Sequence, residues 1–332
     1  MPKLGKTQIE TPSVIMGAWA LGGWYWGGTD DSVGIQTIHA SLDAQINAFD
    51  TAPVYGCGHS EKVLGQALKG RRDKALIFTK VGLRWDSDEG AFFFSVSEAD
   101  GGHSIYRNLR PKSIITEVEN SLIRLQTDYI DLLQCHWPDP SFPISDTMSA
   151  FVQLHDAGKI RAVGVSNFDP HQLQEAQDAL GDIPLASTQP RYSLMNRLIE
   201  ADIVPWLQAN SVGAIVYSPI ERGLLSGKVT PDRIFPDSDG RSSDPLFSPQ
   251  NRMAVLDALD DISDIADAHQ CTFAQLAAAW CIHQPGITAA IVGARTPQQA
   301  IENAHTTQIQ LSLETQNRLR DRFALLQSAK IS

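Results

Sequence analysis

The sequence predicts an α/β protein folded as a closed (β/α)8 barrel of the TIM type, and three observations carry that prediction. Eight short apolar runs alternate with longer segments of helical period almost from end to end, as a parallel sheet with right-handed crossovers requires. No Gly-x-Gly-x-x-Gly follows the first run, which counts against an open, doubly wound sheet. The length of 332 residues fits a barrel with added helices and long loops. No linker, low-complexity tract or internal repeat interrupts the chain, so residues 1–332 are expected to form one barrel domain.

In order, Val14–Ala18 reads as the first buried strand, and Asp30 or Asp31 caps a helix carrying Ile35, Ile38 and Leu42. Ala48–Ala52 is the second strand and Glu61–Leu68 its helix; Leu76–Val81 is the third, and Pro111 opens the helix after it. Tyr129–Trp137 is the fourth, followed by a helix over 145–157. Ile160–Val165, with Pro170 starting its helix, then Leu185–Gln189, Ala214–Tyr217 and Ala289–Val292 complete the eight. Helices are expected over Ile199–Ala209 and Phe273–His283 and from Pro297, with extra ones near Met253–Ala268 and Ser312–Leu326. Three long loops, Leu21–Thr29, Arg84–Arg110 and Thr230–Gln250, all follow strand C-terminal ends, the face on which barrels build their sites.

Composition narrows the function. The chain has 27 Lys and Arg against 38 Asp and Glu, a net charge of −11, which argues against a general nucleic-acid or anionic-membrane binder. Its four cysteines show no Cys-x-x-Cys spacing, so a reducing cytoplasm is expected. No apolar run is long enough to span a bilayer. Lys3 and Lys6 precede an apolar stretch, but Glu10, Pro12 and the glycines within it argue against a signal peptide, and the N-terminus reads as mature sequence.

Chemistry concentrates at the strand ends. Asp50 and Tyr55 follow the second strand, Lys80 ends the third and His136 ends the fourth. Neighbouring barrel strands would bring these groups to one sector of the rim. Each alone has an ordinary structural explanation: a lysine snorkels to water, a lone histidine packs, and Asp-x-x-Pro makes turns. Together they suit proton transfer to a developing alkoxide. An ammonium beside a tyrosine favours phenolate and would bring the phenol's pKa down from about 10. A carboxylate would keep the lysine charged and aimed, and the histidine can hydrogen-bond a carbonyl oxygen. No metal site is expected: His269/Cys271 and Cys281/His283 lie two apart, which on a helix is not one face. Cys57 has no visible nucleophilic role.

The chain resembles the aldo-keto reductase superfamily over nearly its whole length. The motifs that carry the resemblance are Phe49-Asp50-Thr51-Ala52 with Tyr55-Gly56, Thr79-Lys80, Gly164-Val165-Ser166-Asn167-Phe168 and Tyr217-Ser218-Pro219. Trp19-Ala20-Leu21-Gly22-Gly23 and Gly223-Leu224-Leu225-Ser226-Gly227-Lys228 are similar to the bacterial, potassium-channel-β-subunit-like branch. The resemblance implies a catalytic tetrad of Asp50, Tyr55, Lys80 and His136, with Tyr55 as general acid in reduction and base in oxidation. It also implies a nicotinamide cofactor, NADP(H) favoured over NAD(H). Ser166, Asn167 and Gln189 would hold the carboxamide, Tyr217 would stack on the ring, and Trp19 and Asp50 would border it. Ser218, Pro219, Ile220, Gly223, Leu224 and Lys228 would line the pyrophosphate. Gly293, Arg295, Gln299, Glu302 and Asn303 would form the 2′-phosphate and adenine site. Gly293 and Gln299 stand where the mammalian pattern has Lys and Arg, so Arg295, with Arg241 from the preceding loop, is expected to supply the cation.

The expected activity is reduction of aldehydes or ketones, small or sugar-derived, or the reverse oxidation. Trp19, Trp24, Tyr25, Trp26, Trp85 and Trp137 would wall the substrate. Two other classes stay open. The same branch contains cofactor-binding sensors and accessory subunits, and barrel aldolases use a lysine as a Schiff-base nucleophile. The second requires a depressed lysine pKa, which Asp50 beside Lys80 would oppose.

Overall fold

Eight parallel strands close into a barrel in the computed structural model, which describes residues 1–26, 28, 30–96 and 102–328. Residues 27, 29 and 97–101, parts of two of the long loops, lie outside the described residues. The chain runs through β1 (Val14–Gly17), α1 (Asp31–Asp43), β2 (Ala48–Asp50), α2 (His59–Ala67) and β3 (Leu76–Val81). A group absent from the sequence expectation follows. β4 (Leu83–Arg84), β5 (Ala91–Val96) and β6 (His103–Arg107) form a small antiparallel sheet, in the order β4-β6-β5, within the loop after β3. The barrel resumes with α3 (Pro111–Leu125), β7 (Leu132–Cys135), α4 (Ile144–Asp156), β8 (Val163–Ser166), α5 (Pro170–Leu180) and β9 (Leu185–Gln189). It ends with α6 (Ile203–Asn210), β10 (Gly213–Val216), α7 (Pro249–Asp260), α8 (Ser263–Ala268), α9 (Phe273–Ile282), β11 (Ala289–Gly293), α10 (Pro297–His305) and α11 (Leu313–Ser328).

Helix starts follow local chemistry. The Asp30 carboxylate accepts from the amides of Ser32 and Val33. Asp169 and Gln172 form a capping box ahead of α5 with Pro170 in its first turn, and Thr296 caps α10 with Pro297 in the same place. Three expected spans are corrected. The fourth barrel strand is shorter than Tyr129–Trp137; Ile130 makes only an isolated bridge to Ile160. The helix expected over Ile199–Ala209 is a 3-10 turn at Leu198–Glu200 followed by α6, because Asp202 caps a new start at Ile203. Met253–Ala268 divides into α7 and α8 around Asp260 and Asp261, two residues of poor helix propensity.

Strand register positions the site. Asp50 lies beside Gly17 and Phe78, Lys80 beside Gln134, and Ser166 beside Gln189. At the other end an N-terminal hairpin, bridged at Lys3 and Glu10, puts Leu4 and Ile9 into one buried cluster with Ile15, Phe78 and Ile215. That end is plugged by side chains, so a site falls to the C-terminal ends of the strands.

Candidate active site

Tyr55 owes its place to two close backbone approaches. Gly56 has φ +62°, and a Cβ there would stand 2.1 Å from the Gly22 carbonyl oxygen; a Cβ on Gly22 would in turn stand 2.7 Å from the Tyr55 carbonyl carbon. Glycine at both positions lets the turn after β2 press against the turn after β1. Lys80, fully buried on β3, reaches into the mouth. Its Nζ lies 2.6 Å from Asp50 Oδ1, 2.9 Å from the Thr51 carbonyl oxygen and 3.2 Å from the Tyr55 hydroxyl oxygen. His136 follows β7, its backbone N–H donating to the Val81 carbonyl, and its ring meets the Tyr55 ring edge-on with centroids 5.9 Å apart.

Burial dominates the electrostatics of these groups. Desolvation raises the pKa of Tyr55 above the ordinary phenol value; the Lys80 charge works in the opposite direction and Asp50 adds to the rise. The lowering expected from the lysine alone is therefore outweighed, and the phenol is a protonated donor at neutral pH. Burial also disfavours the charge on Lys80, but Asp50 and Tyr55 together hold its pKa above the ordinary value. A Schiff-base role would need a neutral amine, which this environment opposes. Burial, with Lys80 nearby, holds His136 well below the ordinary imidazole value, so it is neutral. A proton-bearing phenol beside a held ammonium and a neutral imidazole can donate to an oxygen as charge develops there.

The groups expected around the nicotinamide lie together on the adjoining strand ends. Ser166 Oγ donates to the Gln189 carbonyl at 2.7 Å, Asn167 Nδ2 donates to the His136 carbonyl at 3.1 Å and to Ser166 Oγ at 3.0 Å, and the Tyr217 hydroxyl donates to Asn167 Oδ1 at 3.0 Å. Burial pushes the Tyr217 phenol up to about 12. Gln189 Nε2 donates to Asp50 Oδ2 at 2.8 Å. After β10 the backbone turns left-handed at Ser218, Glu221, Arg222, Gly223 and Gly227. A Cβ on Gly223 would meet nothing closer than Arg241 Nη1 at 3.7 Å, so this turn keeps open space suited to a pyrophosphate. Leu224 packs its side chain into the core and can offer only backbone there. Lys228 is exposed at the end of the same turn. These donors, the aromatic face of Tyr217 and the open turn fit a nicotinamide dinucleotide.

At the far end of the mouth, Asn303 donates to the Gly293 carbonyl, Gln299 Oε1 accepts from the Arg295 amide, and Glu302 accepts from Gln298. The Arg295 guanidinium, on an exposed residue, donates to the Gly28 carbonyl at 3.0 Å. Arg241 is placed differently from expectation. Its Nε and Nη2 bond both oxygens of Asp239, its Nη1 bonds the Arg222 carbonyl, and its planar group lies over Trp26 and Phe235. Its donors are spent on holding the loop, which leaves Arg295 as the guanidinium on this side.

The aromatic residues divide between two tasks. Trp19 stacks on Tyr25 with centroids 5.2 Å apart and stands 6.0 Å from Tyr55, with its indole N–H buried and without a partner among the described residues. Trp24 stacks on Phe94, and Trp137 packs against Phe93. Trp85, with the Arg124 guanidinium over it, joins the apolar cluster that links Tyr55 to the β5–β6 hairpin. Tyr25 and Trp26 serve instead to tie loops together. The Tyr25 hydroxyl donates to the Gly240 carbonyl and accepts from Arg222, and Trp26 forms an antiparallel bridge with Asp239. Sequence reasoning missed Gln134, Phe93, Phe94 and Arg222. For Gln134 the available signal was a single polar side chain within a buried apolar strand. The discounted histidines of the later helices bond backbone carbonyls, His269 those of Ile265 and Gln310, His283 that of Ala279.

A parallel barrel thus carries at its open end a buried Asp–Lys–Tyr cluster with a proton-bearing phenol. The model of the aldo/keto reductase family matches residues 13–321. The chain is 40% identical over 299 residues to the aldo-keto reductase YhdN of Bacillus subtilis, covering 89% of this chain and 85% of that one. It is 36% identical over 315 residues to the NADH-specific methylglyoxal reductase of Escherichia coli, covering 93% and 94%. A probable voltage-gated potassium channel subunit beta of Arabidopsis thaliana is 32% identical over 311 residues, covering 90% and 88%. Among solved structures, the glycerol dehydrogenase AKR11B4 of Gluconobacter oxydans superposes with a TM-score of 0.83 at 39% identity, covering 96% of this chain and 93% of that one. An aldo/keto reductase of Klebsiella pneumoniae in complex with NADP and acetate gives 0.72 at 29% identity, covering 97% and 95%. The chain belongs to the aldo/keto reductase family, in the company of bacterial reductases and potassium-channel β-subunit-like proteins, and it is an oxidoreductase.

Proposed function

We propose that this protein is an NADP(H)-dependent reductase of aldehydes and ketones, or a dehydrogenase of the corresponding alcohols, working as one barrel domain. The observation that carries the reading is Lys80 Nζ set between Asp50 Oδ1 at 2.6 Å and the Tyr55 hydroxyl at 3.2 Å in a buried mouth. A reduced nicotinamide bound on Ser166, Asn167, Gln189 and Tyr217 would supply the hydride. Tyr55 then gives its proton to the carbonyl oxygen. Lys80 stabilises the phenolate left behind, Asp50 keeps Lys80 charged, and neutral His136 orients the carbonyl by a hydrogen bond. In the oxidative direction Tyr55 takes the proton from the alcohol.

Arg295 at the end of β11 supports NADP(H) over NAD(H), through a fork that matches a 2′-phosphate. An NADH-specific relative makes this the point most in need of measurement. Trp19, Trp24 and Trp137, with Phe93 and Phe94, present aromatic faces beside Tyr55, which suits small carbonyls, α-dicarbonyls, and polyol- or sugar-derived ones. No described helix is long and apolar enough to cross a membrane, and the cysteine content supports a cytoplasmic location. A sensor or accessory role, as in the channel-subunit relatives, is the second reading, and the complete proton relay favours catalysis over it. Titration with NADPH and NADH, followed by tryptophan fluorescence, tests the cofactor: tighter binding of NADPH is expected. Tyr55→Phe should keep that binding and lose turnover of an aldehyde panel by about 10²-fold or more. Undiminished turnover in this variant would remove Tyr55 from its role.

A further inference from the structure

Gln134 lies outside the set of residues expected at the site, yet two members of that set converge on it. Register places it beside Lys80 on one side and Gly164 on the other. Gly164 makes the room, since a Cβ there would come within 3.0 Å of Gln134 Cγ. The side chain is fully buried between apolar strand neighbours, where a primary amide without partners is costly. Its partners belong to the relay. Nε2 lies 3.4 Å from Asp50 Oδ2, and Oε1 accepts at 3.1 Å from Gln189 Nε2, which also donates to Asp50 Oδ2 at 2.8 Å.

The chemistry of the carboxylate orients both amides. Paired with the Lys80 ammonium, Asp50 is ionised and can only accept, so each glutamine must turn nitrogen towards it. Gln189 has two amide hydrogens; one goes to Asp50 and the other to the Gln134 carbonyl. Both are spent, and among the described residues no hydrogen bond reaches Gln189 Oε1. Without an acceptor at position 134 the second hydrogen would be unspent, and the amide, its nitrogen still held by Asp50, could turn that N–H to the mouth.

We infer that Gln134 is a positioning residue: it locks Gln189 as a pure acceptor towards the mouth and steadies the second oxygen of Asp50. The ligand atom that meets Gln189 must then be a donor. This rests on the proposed function in one respect, that the arriving donor is the carboxamide N–H of a nicotinamide. The 3-acetylpyridine analogue of NADPH, in which a methyl group replaces that nitrogen, is the probe. By fluorescence quenching the wild type should bind the analogue more weakly than NADPH, by up to about tenfold, the worth of one hydrogen bond. Gln134→Leu should narrow the difference to about twofold or less, because the released Gln189 can turn an N–H to the acetyl oxygen. Gln134→Glu, protonated by its like-charged neighbour, still offers an acceptor to Gln189 and should keep the discrimination. Equal discrimination in Gln134→Leu and the wild type overturns the inference, and so does its loss in both variants, which would indicate packing alone. An unfolding cycle of Gln134→Leu against Asp50→Asn, run without nucleotide, reads the same contact separately. Non-additive effects are expected, and additive ones overturn the link to Asp50. Should neither NADPH nor NADH quench the wild type, the proposed function fails, and the unfolding cycle still decides the role of Gln134.

Discussion

Burial acts differently on each group around Lys80, and the differences set how activity should depend on pH. In the proposed reduction Tyr55 must carry its proton to act, and desolvation raises its pKa. The rate of reduction should therefore hold through neutrality and fall only above the ordinary phenol value of about 10. The Lys80 charge is the influence that favours phenolate, so Lys80→Met should move this alkaline limb further up while lowering the rate. A pH–rate series of the two proteins checks both, and a wild-type limb well below about 10 would contradict the burial argument. Glu117 offers a second titration, away from the reacting atoms. It is buried on α3, with Oε2 accepting from the Gly82 amide and Oε1 without a partner among the described residues. Burial raises its pKa from 4.5 to about 8. The folded state thus keeps a proton that the unfolded chain releases at lower pH. The associated stability is complete below the unfolded value and is lost as pH rises through the folded one. Urea unfolding at about pH 5 and about pH 8 should show this decline in the wild type and a flatter response in Glu117→Gln.

At the scale of elements, the turn after β1 and the loop after β10 are joined across the mouth. Arg222 holds the Tyr25 hydroxyl and forms an ion pair with Asp244, Trp26 bridges to Asp239, and Arg295 holds the Gly28 carbonyl. A dinucleotide lying from Tyr217 towards Arg295 would be covered by this strap. Arg222→Ala should speed its release severalfold, seen by stopped-flow fluorescence, with little change in the single-turnover rate; unchanged release would place the strap elsewhere. None of these contacts was legible in the sequence: all but the Arg222–Asp244 pair join residues about two hundred or more positions apart, and no local pattern records them. The barrel strands were legible because they are apolar on both faces, and the helix starts because Asp30, Pro111, Pro170 and Pro297 carry their own helix-start chemistry. The β4–β6 sheet was not. Phe92-Phe93-Phe94 breaks any alternation, and the arms of its hairpin are separated by residues 97–102 rather than by a two-residue Asn-Gly type of turn. Asp50, Tyr55 and Lys80 could be grouped because consecutive strands neighbour one another in a barrel. Gln134, on the next strand, was hidden by reading as part of an apolar run.

Over the whole molecule, stability and chemistry are assigned to opposite ends of the barrel. The open end carries left-handed turns, the buried Asp50–Lys80–Tyr55 cluster and aromatic loops, while the other carries an ionic knot around one buried carboxylate. Asp131, just before β7, accepts from Arg72 Nη2 and Arg161 Nη1, each at 2.7 Å, and from the Ile77 amide at 2.9 Å. It is fully buried, and Arg72 also donates to the Ala75 and Tyr129 carbonyls, so one carboxylate stitches the start of β3 to the start of β7. Removing it would leave the buried Ile77 amide and part of the Arg72 charge without an acceptor, which costs about 1–3 kcal/mol because both guanidinium groups keep access to water. Asp131→Ala should lower the unfolding free energy by that order. Because the knot lies at the starts of the strands that bear Lys80 and His136 at their other ends, the folded fraction should keep wild-type cofactor affinity and wild-type KM. A loss of affinity in protein that remains folded by circular dichroism would show instead that the two ends are coupled through the strands.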